Sequence, residues 1–174
     1  MDNNDILIRL RYALDIKDTQ MLEIFKLGGV ELTAEELRKT LIKTKDAYDY
    51  MTSNEDDEEN IPCDNHRLES FLNGFIIFKR GKQEVKPGQP EKPLLSMADS
   101  RSINNILLKK LKIALELTSE DMLAILEKAG VIITKGELSA VFRKEGHKHY
   151  KVCGDRYARN FLKGLAIKNR GLNE

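Results

Sequence analysis

The sequence contains few of the residues and patterns that mark particular classes of protein. Two cysteines are too few for a disulfide framework, and no apolar run approaches the roughly 18 residues that span a bilayer. The acidic, polar start of the chain is the reverse of a secretory signal. No nucleophile elbow, phosphate-binding loop or dinucleotide fingerprint appears, which argues against an enzyme and against a bound cofactor. These absences predict a cytoplasmic protein with reduced thiols and no catalytic activity.

Proline is also scarce, and its placement divides the chain. Three of the four prolines lie in residues 82–101. Because proline lacks an amide hydrogen and fixes its own backbone, this segment cannot form a continuous helix, and we expect a semi-extended linker. The chain is therefore predicted to contain two structural units, residues 1–81 and residues 102–174, which we call the first and second repeats.

The two units are copies of one helical pattern. Its earlier part recurs at an offset of 101 residues, where Asn3-Asn4, Leu7, Leu10, Met21-Leu22, Gly29-Val30 and Glu36-Leu37 return as Asn104-Asn105, Leu108, Leu111, Met122-Leu123, Gly130-Val131 and Glu137-Leu138. Its later part recurs at an offset of 90, where Cys63, Phe71-Leu72, Gly74 and Arg80-Gly81 return as Cys153, Phe161-Leu162, Gly164 and Arg170-Gly171. The first repeat thus has 11 extra residues, which we place in an acidic loop at residues 51–61.

Each repeat is predicted to fold into four helices, so we expect an all-α protein. The first helix is expected near Asn4–Leu14, because its apolar residues fall at spacings of three, four and seven. The fourth is expected over Asn65–Lys79 and over Asp155–Asn169, since an Arg-Gly pair that ends a helix follows each segment. Strand signals are weak throughout.

Capping residues predict where the inner helices begin. Asp18 and Ser119 stand where an N-cap would start the second helix of each repeat. Thr33 and Thr134 are each followed three residues later by glutamate, which is the capping-box pattern expected before the third helix.

The small net charge of +1 conceals an uneven distribution. The first repeat carries a formal charge of −6 and the second carries +6. Such asymmetry suggests an anionic partner for the basic repeat, either nucleic acid or an acidic protein surface. It equally allows the two repeats to attract one another, within one molecule or in a homo-oligomer, because net charge informs on association and not on fold. No membrane partner is expected.

A long motif in the second repeat resembles a known family. The run Phe142-Arg143-Lys144-Glu145-Gly146-His147-Lys148-His149-Tyr150, followed by Cys153-Gly154-Asp155 and Asn160-Phe161-Leu162-Lys163-Gly164-Leu165, is similar to the YehS-like family. This is a bacterial family of tandem domains of unknown function, and the resemblance covers nearly the whole chain. It implies a bacterial cytoplasmic protein and supplies no substrate, cofactor or catalytic residue. The first repeat departs from the motif at residues 44–48.

The basic segment between residues 143 and 170 is the main functional candidate. On the fourth helix, Arg156, Arg159, Lys163 and Arg170 fall on one stripe away from the apolar face. A basic stripe beside a loop with histidines and a tyrosine could follow a phosphate backbone, with the tyrosine stacking on a base. The alternative is a solvated helix face or a surface for an acidic protein. The candidate contact residues are Arg143, Lys144, His147, Lys148, Tyr150, Lys151, Arg156, Arg159, Lys163 and Arg170.

Two further interpretations have less support. The second and third helices have the outline of a helix-turn-helix, but Glu35 and Glu36 at the start of the would-be recognition helix would repel phosphates. His147, His149 and Cys153 lack a fourth ligand and a CxxC pair, so no metal site is predicted.

Overall fold

A computed structural model describes residues 1–44, 59–82 and 103–171, and all regular structure in these ranges is helical. The all-α prediction is confirmed, with four helices described in each repeat. The predicted acidic loop and linker fall outside the described residues, apart from residues 59–61 and 82. The helices are α1 (Asn3–Ala13), α2 (Asp18–Leu27), α3 (Ala34–Thr40), α4 (Asn65–Arg80), α5 (Ile103–Ala114), α6 (Ser119–Lys128), α7 (Lys135–Phe142) and α8 (Asp155–Arg170).

The helix starts follow local capping chemistry, with two differences from the sequence prediction. Thr33 forms the predicted box, since its hydroxyl accepts from the Glu36 amide at 3.1 Å and its own amide donates to the Glu36 carboxylate at 3.2 Å. Before α7 only half the box forms, because the glutamate accepts from the Thr134 hydroxyl rather than from its amide. The N-caps of α2 and α6 are Lys17 and Thr118, one residue earlier than expected.

Within each repeat the second and fourth helices cross very closely. A β-carbon added at Gly74 would lie 1.9 Å from the Ile24 carbonyl oxygen, and one added at Gly164 would lie 1.9 Å from the Ile125 carbonyl oxygen. Only a residue without a side chain fits between these backbones. The repeated glycine therefore sets the separation of α2 from α4 and of α6 from α8.

A buried asparagine on the first helix of each repeat joins that helix to the end of the third helix and to the segment that precedes the fourth. The Asn105 side-chain amide donates to the carbonyls of Val141 and Lys151 at 2.9 and 2.8 Å, and its oxygen accepts from the Cys153 amide at 2.8 Å. Asn4 makes the equivalent three bonds in the first repeat. A buried amide without hydrogen bonds destabilises the folded state, so these three bonds fix the position of the segment that leads into the fourth helix.

The two repeats pack against each other in a reciprocal way. The fourth helix of each lies against the first helix of the other, so that α4 packs on α5 and α8 on α1. The buried apolar side chains of both repeats form one continuous core. Arg80 pairs with Glu116 at 3.4 Å, and at the equivalent positions Arg170 pairs with Asp15 at 3.4 Å. These matching ion pairs show that the repeats are related by an approximate twofold rotation.

No helix in the described ranges is long and apolar enough to cross a membrane.

The two buried thiols should react slowly in the folded protein. Burial raises the pKa of Cys63 and of Cys153 to about 12, so little of the reactive thiolate exists at pH 8. We expect Ellman's reagent to modify both cysteines about 100-fold or more slowly in buffer than in urea. Rapid modification in buffer, at a rate close to that of the unfolded chain, would contradict the burial.

Candidate nucleic-acid interface

Helix α8 presents three exposed cations on its outer side. Its inner side is fixed by buried residues such as Phe161, Leu162 and Leu165. Arg156, Arg159 and Lys163 occupy the opposite side and are exposed. Because they fall at spacings of three and four residues, they form a stripe about 10 Å long. Such a stripe is long enough to touch two successive phosphates.

The loop between α7 and α8 brings further cations to the start of this stripe. It consists of two consecutive turns, closed by bonds from the His147 amide to the Lys144 carbonyl at 2.9 Å and from the Tyr150 amide to the His147 carbonyl at 3.0 Å. The Lys151 amide then donates to the Ala140 carbonyl at 3.0 Å, which fixes the loop to α7. Lys144, His147 and Lys148 are exposed, so the loop adds positive charge beside the amino-terminal end of α8.

Two of the candidate residues have structural contacts of their own. The guanidinium of Arg170 lies 4.2 Å from the centre of the Tyr12 ring, donates to the Tyr12 carbonyl at 3.2 Å and pairs with Asp15. It therefore holds α8 against the first repeat. Tyr150 is half-buried and its hydroxyl oxygen is buried, so its ring points into the protein. Neither side chain is presented as openly as the α8 stripe.

Seven of the candidate cations make no ion pair with any residue that the structure describes. The carboxylates of this part of the surface are Glu137, Glu145 and Asp155. Asp155 attracts Arg159 electrostatically, but it already accepts from the Asn104 amide at 2.9 Å and from the Met1 α-amino group at 3.0 Å. These bonds, led by that of Asn104, lower the pKa of Asp155. The seven are Arg143, Lys144, Lys148, Lys151, Arg156, Arg159 and Lys163.

A cleft lies between the start of α8 and residues of α7 and of the connection that precedes α7. Its volume is about 490 Å³, and Lys151 and Arg156 stand in its wall together with the apolar residues Val131 and Val141. Lys151, which follows the two turns of the loop, and Arg156 of the α8 stripe therefore face the same cleft. The full lining is Gly130, Val131, Ile133, Glu137, Val141, Lys151, Val152, Cys153, Gly154, Arg156, Tyr157 and Asn160.

One polar group in this cleft has no partner among the described residues. The hydroxyl of Tyr157 is buried without a hydrogen bond there, and burial raises the pKa of this hydroxyl. The N-cap residue of α8 is Gly154, which has no side chain to accept from the first turn of the helix. In the first repeat, the side chain of Asp64 caps α4. The start of α8 thus lacks the side-chain cap that the start of α4 has.

The geometry adds one residue that the sequence pattern did not single out. Arg9 is exposed on α1, the helix that packs against α8. Its position could have been inferred from the 101-residue offset, which pairs it with Lys110, but only after the contact between α1 and α8 was known. In the described ranges, no group of three or more His, Cys, Asp and Glu residues is arranged to hold a metal ion.

The chain matches one protein family in two segments. A family model described as "Protein of unknown function (DUF1456)" matches residues 3–81 and again residues 104–171, which correspond to the two repeats. The chain is 40% identical over 169 residues to the uncharacterized protein YehS of Escherichia coli strain K12, and the match covers 97% of this chain and 96% of that protein. No solved structure matches the chain. The chain therefore belongs to the DUF1456 family of proteins of unknown function.

Proposed function

We propose that this protein is a non-enzymatic nucleic-acid-binding protein of the bacterial cytoplasm, and that its second repeat contacts the phosphate backbone. The observation that carries the proposal is the set of seven cations on the loop and on α8 that make no ion pair with the residues that the structure describes. Exposed lysines and arginines that lack carboxylate partners are available to replace the counterions of a phosphate chain. Arg156, Arg159 and Lys163 supply the direct contacts, and the loop residues Lys144 and Lys148 attract the ligand.

This arrangement predicts binding that depends on backbone charge rather than on base sequence. On the basic surface that the structure describes, Tyr150 and Tyr157 have buried hydroxyl groups, and the exposed rings of His147 and His149 lie 5.8 Å apart at a tilt of 45° rather than stacked. Specific base reading needs side chains that reach base edges, whereas phosphate contacts mainly fix position. We therefore expect little difference in affinity between oligonucleotides of different sequence.

Charge reversal on α8 should abolish the interaction. We expect the full chain to bind fluorescent oligonucleotides at low salt, and the triple variant R156E/R159E/K163E to bind more than tenfold more weakly. Each lost phosphate contact should also lower the slope of log K against log salt by about 0.9 for duplex DNA or about 0.7 for single strands. Fluorescence anisotropy at several salt concentrations measures both quantities.

A matched control changes the same net charge elsewhere. Lys26 and Lys43 are exposed in the first repeat and Lys82 is exposed just after it, and the variant K26E/K43E/K82E should retain wild-type binding if position matters. An equal loss of oligonucleotide affinity in both triple variants would show that binding depends on net charge alone. The full chain is required, because α5 and α8 of the second repeat bury part of their surface against the first.

The alternative function is binding of an acidic protein surface, including a second copy of this chain. Ile132 is 85% exposed and Val152 is 53% exposed, and Val152 lines the cleft beside Lys151. Exposed apolar residues beside cations are typical of protein interfaces rather than of phosphate contacts. No oligonucleotide binding at low salt, together with concentration-dependent association, would favour this alternative.

A further inference from the structure

The contact between α4 and α5 contains a neutralised charge cluster. The Lys110 ammonium lies 2.6 Å from the Asn73 side-chain oxygen and 3.7 Å from the Glu69 carboxylate. The glutamate side chain is 0% exposed and the lysine 15% exposed. A lysine from one repeat thus meets a carboxylate and an amide from the other.

The reciprocal contact between α1 and α8 carries a different set of side chains at the same positions. The offsets of 101 and 90 residues place Arg9 at the position of Lys110, Arg159 at that of Glu69 and Lys163 at that of Asn73. The approximate twofold rotation, which the matching pairs of Arg80 and Arg170 indicate, predicts that these positions lie near one another. Three cations therefore stand where the first contact has a cation, a carboxylate and an amide.

These three cations are exposed, and within the described ranges Asp155 attracts Arg159 without forming an ion pair with it. Arg9, Arg159 and Lys163 make no ion pair there, and Asp5, one turn before Arg9 on α1, does not pair with it. Like charges brought together on packed helices repel one another, which costs stability unless an anion joins them. The equivalent Glu69 shows that a carboxylate at this position is compatible with the fold.

We propose that Arg9, Arg159 and Lys163 form one phosphate-binding site across the contact of α1 with α8, so that nucleic acid is held by both repeats. The inference rests on the proposed function and specifies its site. One repeat alone cannot complete this site, because Arg9 comes from the first repeat and the other two residues come from the second. Binding then requires both repeats, and the shared core holds the first-repeat and second-repeat cations in one site.

Removal of Arg9 should weaken binding even though it lies outside the basic second repeat. We expect R9Q to bind oligonucleotide about tenfold more weakly, because a charge-assisted bond to phosphate is lost, and to lower the salt slope by about one. The matched control K26Q removes one exposed cation of the same repeat and should bind as the wild type does. Binding of R9Q that equals that of K26Q would overturn the inference and leave the proposed function standing.

A second variant separates binding from folding. R159E/K163N gives the α1–α8 contact the carboxylate and the amide that the α4–α5 contact already has. We expect this variant to unfold at a temperature equal to or higher than that of the wild type, because repulsion is replaced by attraction, and to lose oligonucleotide binding. A stable variant that still binds with wild-type affinity would refute the site.

Inorganic tripolyphosphate distinguishes the site from the ligand that occupies it. Because a ligand that binds only the folded state stabilises it, tripolyphosphate should raise the melting temperature of the wild type more than that of R9Q. If this shift occurs but oligonucleotides do not bind, the anion site stands, and both the proposed function and nucleic acid as its ligand are wrong. If neither probe has an effect, both proposals are overturned.

Discussion

Substituting alanine for Gly164 should lower the free energy of unfolding by about 3 kcal/mol. The added β-carbon would lie 1.9 Å from the Ile125 carbonyl oxygen and 2.8 Å from its carbonyl carbon. These are backbone atoms of α6, so a rotamer change cannot relieve the overlap, and the two helices must separate. Alanine favours a helix by about 1 kcal/mol over glycine, which offsets only part of this cost.

Urea unfolding followed by circular dichroism measures the loss, and the chain offers a matched control. Gly136 is exposed near the start of α7, where an added β-carbon would meet only the Thr134 hydroxyl at 3.8 Å. G136A should therefore leave stability unchanged or raise it by about 0.5 kcal/mol. If G164A and G136A unfold at the same urea concentration, the close approach of α6 to α8 is wrong.

The same result is expected at the equivalent position of the first repeat. A β-carbon at Gly74 would lie 1.9 Å from the Ile24 carbonyl oxygen and 2.8 Å from the Gly28 amide nitrogen. One glycine pair thus accounts for the packing of α2 on α4 and of α6 on α8. Because the apolar core is continuous across the repeats, loosening either crossing should destabilise the whole molecule rather than one half.

Local structure was largely predictable from the sequence, because its causes are local. The Arg-Gly pair predicts the end of α4 to within one residue of its observed end at Arg80, and the Thr33 capping box forms as expected. The same pattern of four helical segments occurs in both repeats, and it predicts the four helices described in each. Asn4 and Asn105 were visible as a repeated residue, but their bracketing role depends on three backbone groups that are distant in sequence.

The contacts between the repeats could not be predicted, because they depend on which helix faces which. Along α4, Glu69 falls on the stripe that corresponds to the exposed side of α8, so periodicity places it in solvent. The structure buries it instead, since α5 of the second repeat covers it and supplies Lys110. The same packing explains why Arg170, a candidate for phosphate binding, holds the repeats together. Helical spacing assigns a face to a side chain and does not reveal what covers that face.

The buried cluster at the α4–α5 contact should be sensitive to the loss of its lysine. Burial lowers the pKa of the Lys110 ammonium, and attraction to Glu69 acts in the opposite direction. K110M leaves the fully buried carboxylate without this cation, and a broken buried pair costs about 3–5 kcal/mol. E69Q should cost less, because the lysine is 15% exposed and its flexible stem can carry the ammonium toward water.

A double-mutant cycle tests whether the two charges depend on each other. The cycle compares K110M, E69L and K110M/E69L. We expect the double variant to lose less stability than K110M alone, since neither buried charge then remains and the apolar side chains can pack. R9M makes a comparable change at the equivalent exposed position, which belongs to the site proposed with Arg159 and Lys163, and should leave stability unchanged or raise it. Additive losses in the cycle, or equal losses in K110M and R9M, would show that the two contacts between repeats have the same charge balance. A large coupling at Lys110 and a gain at Arg9 would instead show that one contact is built for stability. The contact of α1 with α8 would then hold three cations, Arg9, Arg159 and Lys163, that the stability of the fold does not require.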